Sequence, residues 1–529
     1  KEYRRQRQMC IRDRLNGSSS FLMRLLTFII FYFIFFSIIH TQDSKKISEK
    51  YFPDFDIEVP TPAFNKKKGF TKYSEMMYFL DELCKKHPNK VSYEYIGKSQ
   101  KEKQIPMVYL GENKVDNFKV CFMGGLHGNE PASTESLLLL IHNLLEVDSL
   151  KDLTSKLNIA IIPMANIDGY EKQSRYASNG QDLNRDHTKL TNQETIAIKQ
   201  SISDFSPDLM VDFHEYKPYR VDFVNFGEYG TTSMYDCMFL YSGNLNVCPR
   251  IKSVVENTYL PPAKLKLDNN GLRYHNYLSS KHKNNKIYFN LGSVSPRSSA
   301  TSFALGNSIS MLMEIRGVGL NRTSFKRRIY TSYLLAYSFL NTSVDNSNYI
   351  KSTLEDCNKF PEEITIKYKK EKSNYNLDMI DVYNLDVIPV NIVLNNGLKC
   401  TNEITRKRPL YYFIEKDLSI VTDKLNILGL DIDTLKFDEL FEIESYQIIS
   451  EKKSPAKFQG FYENIVSTNI VKEQKVLEKG TFIIPMNQEK SNIAVETLEP
   501  EMLSGFLRFN VINPSDIQKI HRYTLNKKL

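Results

Sequence analysis

The chain has no tryptophan, no Cys-x-x-Cys pair, no long block of lysine and arginine, and no methionine at its first position. The lack of tryptophan carries no functional reading. The missing Cys-x-x-Cys spacing argues against a cysteine-held zinc site. The net charge of +8 is spread over 529 residues. It gathers into no basic arm, and no RNA- or DNA-binding motif is present, so nucleic acid is not an expected partner. The longest apolar run, Leu25 to Ile39, is broken only by Thr27 and Ser37. It is short for a membrane span and fits the core of a secretory signal.

What is present fits a large soluble protein: 41% hydrophobic and 25% charged residues, with length enough for two or three domains. Residues 1–22 read as an artefactual or non-native leader, with Met23 as the start. Residues 23–42 then form a signal peptide, with Arg24 as its short basic region. Ile39 to Gln42 is a poor cleavage site, so whether the signal is cleaved or anchors stays open. Export is expected, to a secreted or periplasmic location, with no stable membrane insertion after signal removal. Discounting Cys10, six cysteines remain, an even count that permits disulfides in an oxidising compartment. Cys237 and Cys248 stand close enough for a loop staple, and Cys121 reads as a buried thiol.

One stretch organises the rest: Gly124-Gly125-Leu126-His127-Gly128-Asn129-Glu130. It follows the apolar run Val120 to Met123, a buried strand, and precedes a helical pattern from Pro131 to Leu145. His127 and Glu130 therefore fall on a tight turn at the C-terminal end of a strand, where open α/β sheets bind ligands. Further strands are expected at Val91–Ile96, Ile105–Leu110, Leu157–Met164, Leu209–His214 and Ser310–Ile315, and a helix at Tyr73–His87. Strands alternating with helices imply a mostly parallel sheet covered on both faces. Three of these strands end in polar groups. They are Asn166-Ile167-Asp168-Gly169 with Arg175 and Asp182-Leu183-Asn184-Arg185, then His214-Glu215, then Glu314-Ile315-Arg316-Gly317.

In that order, G-G-x-H-G-x-E, N-x-D-G, D-x-N-R, a strand ending in His, and E-x-R-G resembles the zinc carboxypeptidases of the carboxypeptidase A type, over roughly Thr71 to Tyr337. The resemblance implies one zinc ion held by His127, Glu130 and His214, with water in the fourth position. It implies Glu314 as the general base. It implies Arg175 as the oxyanion stabiliser, worth about 3–4 kcal/mol in comparable sites. Asn184 and Arg185 match the pair that grips a free C-terminal carboxylate. The tyrosine that the best-known members place about twenty residues before the catalytic glutamate is missing, and Tyr288 lies further back. The segment from Pro296 and Arg297 to Gly317 instead looks like a bacterial exported branch, with Arg297 as a substrate contact. Glu215 and Asp212 are expected to be structural or to orient ligands, and Glu314 has the alternative of a salt bridge to Arg316. No role is assigned to His142 or His187.

After Asp345 the texture changes. Residues 346–375 read as a linker or exposed helix. From Asn376 onward, short runs of Val, Ile, Tyr and Phe alternate with polar turns around one helical piece, Leu418–Leu430. The expected architecture is α/β: a mixed, mostly parallel sheet sandwiched by helices over 43–345, followed by a smaller, mostly β accessory domain over 376–529. The expected function is a zinc metallocarboxypeptidase whose partner is a peptide with a free C-terminal carboxylate. Its rivals are a cell-wall peptide amidase or N-acyl amino acid deacylase on the same scaffold, and an inactive zinc-binding interaction module. Residue preference, the physiological substrate and oligomeric state are not legible.

Overall fold

The computed structural model describes residues 45–112, 114–283 and 286–525, so the expected leader and signal segments lie outside the described residues. Among the described residues there are three sheets. The first runs in the order β1 (Val91–Lys98), β2 (Gln104–Leu110), β4 (Leu157–Ile162), β3 (Phe118–Gly124), β5 (Leu209–Tyr216), β11 (Ile309–Arg316), β7 (Cys237–Tyr241) and β8 (Tyr274–Asn276). β4, β3, β5 and β11 are parallel, while β2 and β7 flank them antiparallel. Every residue of β4, β5 and β11 is buried. That is why these strands appear in the sequence as mostly apolar runs, with polar residues mainly towards the ends of β5 and β11: helices cover both faces.

Helix α1 (Tyr73–Lys86) turns Met76, Leu80 and Leu83 inward. Helix α2 (Pro131–Glu146) starts with proline, which gives up no helical hydrogen bond at that position. The next free amide, Ala132 N–H, donates to Glu215 Oε2 at 3.0 Å, so a buried carboxylate caps the helix start. Helices α3 (Gln193–Phe205), α4 (Ser299–Leu305) and α5 (Phe325–Asp356) complete the cover.

The stretch expected as a linker or exposed helix is helical as far as Asp356, where α5 ends, and β12 begins at Glu363. β12 (Glu363–Asp381) and β13 (Val387–Lys407) form a long hairpin. With β6 (Thr231–Ser233), β9 (Leu278–Lys283) and β10 (Lys286–Leu291) it makes a second, five-stranded sheet in the order β6-β12-β13-β10-β9. Its strands come from both sides of the expected boundary. Much of β12 is exposed, so charged residues fill it and mask its period.

The third sheet is antiparallel: β15 (Asp433–Thr434), β18 (Phe482–Pro485), β14 (Tyr411–Ile414), β19 (Ile520–Tyr523), β16 (Glu439–Lys453) and β17 (Asn464–Leu477). The expected helical piece is present as α6 (Ser419–Ile427), and α7 (Ser491–Leu498) follows β18. Arg522 on β19 is buried between Glu444 and Glu499, at 2.7 and 3.0 Å. This region docks on the first sheet's layer. Lys424 donates to the carbonyls of Lys189 and Leu190, both at 2.8 Å, and Asn244 and Asn246 donate to Glu496 Oε1 at 2.7 and 2.9 Å.

The disulfide joins Cys248 to Cys357, not to Cys237, across a sequence separation of 109. Cys237 is a free thiol buried inside β7, and Cys121 is the buried thiol expected.

Candidate active site

The chain passes from β3 to β4 on one side and returns to β5 on the other, so the strand order reverses between β3 and β5. A crevice opens beyond the carboxyl ends at such a reversal. The His127 turn leaves β3 there and His214 lies two residues before the end of β5. The turn needs its glycines: a Cβ on Gly128 would lie 2.0 Å from the carbonyl carbon of Gly169. That contact presses the first motif against the Asn166–Gly169 turn.

Three buried donors converge. Glu130 Oε1 lies 2.8 Å from His127 Nδ1, and Glu130 Oε2 lies 2.8 Å from His214 Nδ1. The two Nδ1 atoms are 2.9 Å apart. Each ring is held from behind: His127 Nε2 lies 3.0 Å from Asp182 Oδ1, and His214 Nε2 lies 2.7 Å from Asp212 Oδ2. Carboxylates on both Nε2 atoms favour protons there, which leaves the Nδ1 lone pairs facing one another and Glu130. A cation relieves that repulsion. The donor set, with carboxylate-backed imidazoles, is the kind that binds zinc, and these three residues form a candidate metal site.

The electrostatics follow the same arrangement. Burial pushes the Glu130 carboxyl up, but His127 and His214 outweigh it and hold the group below the usual carboxylate range. Asp182 behaves alike beside His127 and Arg175. For His214 the burial cost is outweighed by Asp212 and Glu130, which raise its pKa.

Glu314 pairs in register with His214 across β11 and β5. Burial, reinforced by the Glu130 charge and opposed by His214, pushes its carboxyl up to about 7. Arg175 donates through Nε and Nη2 to Asp182 Oδ2 at 3.1 and 2.9 Å, and its Nη1 reaches to 3.6 Å from Glu130. Asp182 also accepts from Asn184 N–H at 2.9 Å, which closes the turn carrying Asn184 and Arg185. Asn184 Oδ1 accepts from Ser299 N–H at 2.9 Å, and the Arg297 carbonyl accepts from His187 N–H at 3.2 Å. The Arg297 loop is thus fastened to the Asn184–Arg185 turn.

All eight expected residues gather at this end of the sheet. Arg316 does not pair with Glu314; its guanidinium stacks 4.1 Å over the Phe52 ring. Glu215 is structural, held by Arg328 at 2.6 Å. Two residues went unassigned in the sequence. Asp182 was visible in its motif, but its hold on His127 was not. Tyr277 lies within the electrostatic reach of Glu314, Arg175 and Arg185, and burial and the Glu314 charge push its phenol up. Tyr288 instead sits in β10 opposite Lys281 and Val393.

Residues 76–294 match the family model described as zinc carboxypeptidase. The chain carries a zinc carboxypeptidase domain. It is thereby a hydrolase of the zinc metallocarboxypeptidase class. Carboxypeptidase 2 of Trichophyton rubrum is 26% identical over 474 residues, covering 86% of this chain and 87% of that protein. Carboxypeptidase D of Homo sapiens is 28% identical over 168 residues, 27% of this chain and 12% of that protein. Among solved structures, the carboxypeptidase A of Helicoverpa armigera aligns with a TM-score of 0.41 at 18% identity, over 58% of this chain and 81% of that one. The metallo-carboxypeptidase of Pseudomonas aeruginosa aligns with a TM-score of 0.39 at 16% identity, over 53% and 71%. At 86% of this chain, the match to the fungal enzyme extends past residue 294 and over Arg297 and Glu314.

Proposed function

We propose that this protein is an exopeptidase that removes C-terminal residues from peptides, with one zinc ion held by His127, Glu130 and His214. The observation that carries this reading is the convergence of those three donors, each imidazole backed by an aspartate, beside Glu314 on the neighbouring strand. Bound zinc supplies the Lewis acidity that activates water and polarises a carbonyl.

The chain's own groups do the rest. Glu314 takes a proton from the attacking water at its carboxylate and returns it to the leaving amine. A pKa near 7 suits a group that must both accept and donate. Arg175, fixed by Asp182, presents its remaining N–H groups to the carbonyl oxygen as negative charge develops there. Arg185 and Asn184 hold the substrate's terminal carboxylate, which makes the cut an exopeptidase cut. Arg297 adds a further substrate contact beside them.

Residues 43–345 are proposed as the catalytic domain and 376–529 as the accessory domain, with the β12–β13 hairpin spanning the two. Export through the segment 23–42 is supported by the Cys248–Cys357 bond, which needs an oxidising compartment to persist.

The test is mass-spectrometric product analysis with zinc-loaded protein and peptides carrying a free or an amidated C-terminus. Stepwise C-terminal loss from the free acids alone, absent in Glu314→Gln, is expected. Cleavage confined to a cell-wall stem peptide or an N-acyl amino acid would replace this reading with one of its hydrolytic rivals.

A further inference from the structure

Two buried cations beside the Asn184–Arg185 turn have no anionic partner. Arg297 is 8% exposed and Lys189 is 3% exposed. The Arg297 guanidinium donates to two neutral acceptors, Ser504 Oγ at 3.3 Å and Gln459 Oε1. It stacks over Phe458 and Phe509, at 5.2 and 4.6 Å. Lys189 lies over the rings of Phe461 and Phe509, at 4.8 and 5.3 Å. Among the described residues, no carboxylate comes within ion-pair distance of either.

The nearby carboxylates are already engaged. Asp182 holds His127 and Arg175. Asp186 accepts from Thr191 and Asn192. Glu463 pairs with Arg508 at 2.7 Å. A buried charge without a counter-charge is costly, and such groups are ordinarily paired. Here burial and the like charge of Arg185 lower Arg297 to about 10, and burial with Arg297 lowers Lys189.

The wall over these cations comes from the third sheet. Phe458 and Phe461 exchange backbone hydrogen bonds at 2.8 and 3.1 Å, and the two residues between them, Gln459 and Gly460, have φ of 52° and 88°. That is a two-residue hairpin turn of the tight, twisted kind, stiff enough to fix where Gln459 points.

We propose that Arg297 and Lys189, walled by the Phe458–Phe461 turn, form a subsite for an acidic side chain, so that the enzyme prefers peptides ending in glutamate or aspartate. The proposal rests on the carboxypeptidase reading: Arg185 takes the terminal carboxylate, and the second carboxylate of a dicarboxylic residue reaches the adjacent cations. A carboxylate between them supplies the missing counter-charge and can replace Gln459 as the acceptor for Arg297. An apolar C-terminal residue would leave both cations unpaired.

The test uses the full chain loaded with zinc and a set of peptides differing only in the last residue: Glu, Asp, Leu, Phe or Lys. The kcat/KM for Glu or Asp is expected to exceed that for Leu by about 30-fold, the scale of one charge-assisted hydrogen bond. Arg297→Gln should cut that ratio below about 5-fold, with Arg297→Lys between. Thermal unfolding checks that each variant is folded, and the wild-type series decides the question even if one is not. Equal or better cleavage of Leu, Phe or Lys overturns the acidic subsite and leaves the exopeptidase standing. No cleavage of any free-acid peptide overturns both.

Discussion

The first and third sheets solve the same packing problem in opposite ways. The first buries β4, β5 and β11 along their whole length, and its chemistry sits where those strands run out. The third leaves much of β16 and β17 exposed and carries its contact to the cleft on a turn between them. Strand ends in a covered sheet place side chains by the rigidity of the core. A hairpin turn places them by its own backbone geometry. The first arrangement suits groups that must meet within tenths of an ångström, and the second suits a wall that decides what fits.

The largest expected effect tests the strand-end group. Glu314→Gln keeps shape and removes the proposed base. It should lower kcat by about 10²–10⁴-fold with zinc content unchanged, as measured by steady-state kinetics and metal analysis. A full-activity variant would transfer the base role elsewhere.

The next effect tests how firmly the regions are joined. Removing the Cys248–Cys357 bond opens a loop of 109 residues. Cys248→Ser should cost about 5 kcal/mol by the chain-entropy relation, read from denaturant unfolding. No loss would mean that the unfolded chain is already compact around that loop.

The docking contact has its own pH signature. Burial pushes Glu496 up to about 7 against the hydrogen bonds from Asn246 and Asn244. Its folded pKa is raised above the ordinary 4.5, so the folded state holds the proton more tightly. Stability from this group is full below pH 4.5 and lost as pH rises through about 7. Glu496→Gln should therefore stabilise the protein at pH 8 by up to roughly 3 kcal/mol and change little at pH 4.5. Melting curves at both values check it, and a gain at pH 4.5 equal to that at pH 8 would break the assignment.

The smallest effect separates ligand from ligand support. Asp182→Asn and Asp212→Asn should weaken zinc affinity by about 10–100-fold while leaving the fold intact, measured by competition with a chelating dye. Affinity unchanged in both would reduce the two aspartates to ordinary hydrogen-bond partners.

These contrasts also explain what the sequence disclosed. His127, Glu130, His214 and Glu314 were legible as candidates because each lies at or just past the end of a largely apolar run, and such a run marks a strand covered on both faces. The same logic placed β3, β5 and β11 within a few residues of their observed ends. Asp182 was read as part of a motif without its role, since its hold on His127 is a contact between distant segments. Tyr277 was invisible because it follows a three-residue strand with no pattern of its own. The first part of β12 fell within the stretch read as a linker or exposed helix because its exposed positions carry lysine, asparagine and glutamate, which local composition cannot distinguish from coil. The Cys248–Cys357 pairing was hidden by sequence distance, which favoured the nearer Cys237.

The buried ion pair of Arg522 with Glu444 and Glu499 bears on the order in which the protein matures. β19 lies far downstream of Glu314, yet it pairs with β14 and β16 in the middle of the third sheet and so steadies the hairpin that roofs Arg297. β19 follows every other strand in the chain, so the wall over Arg297 is completed only after all strands of the first sheet have been made.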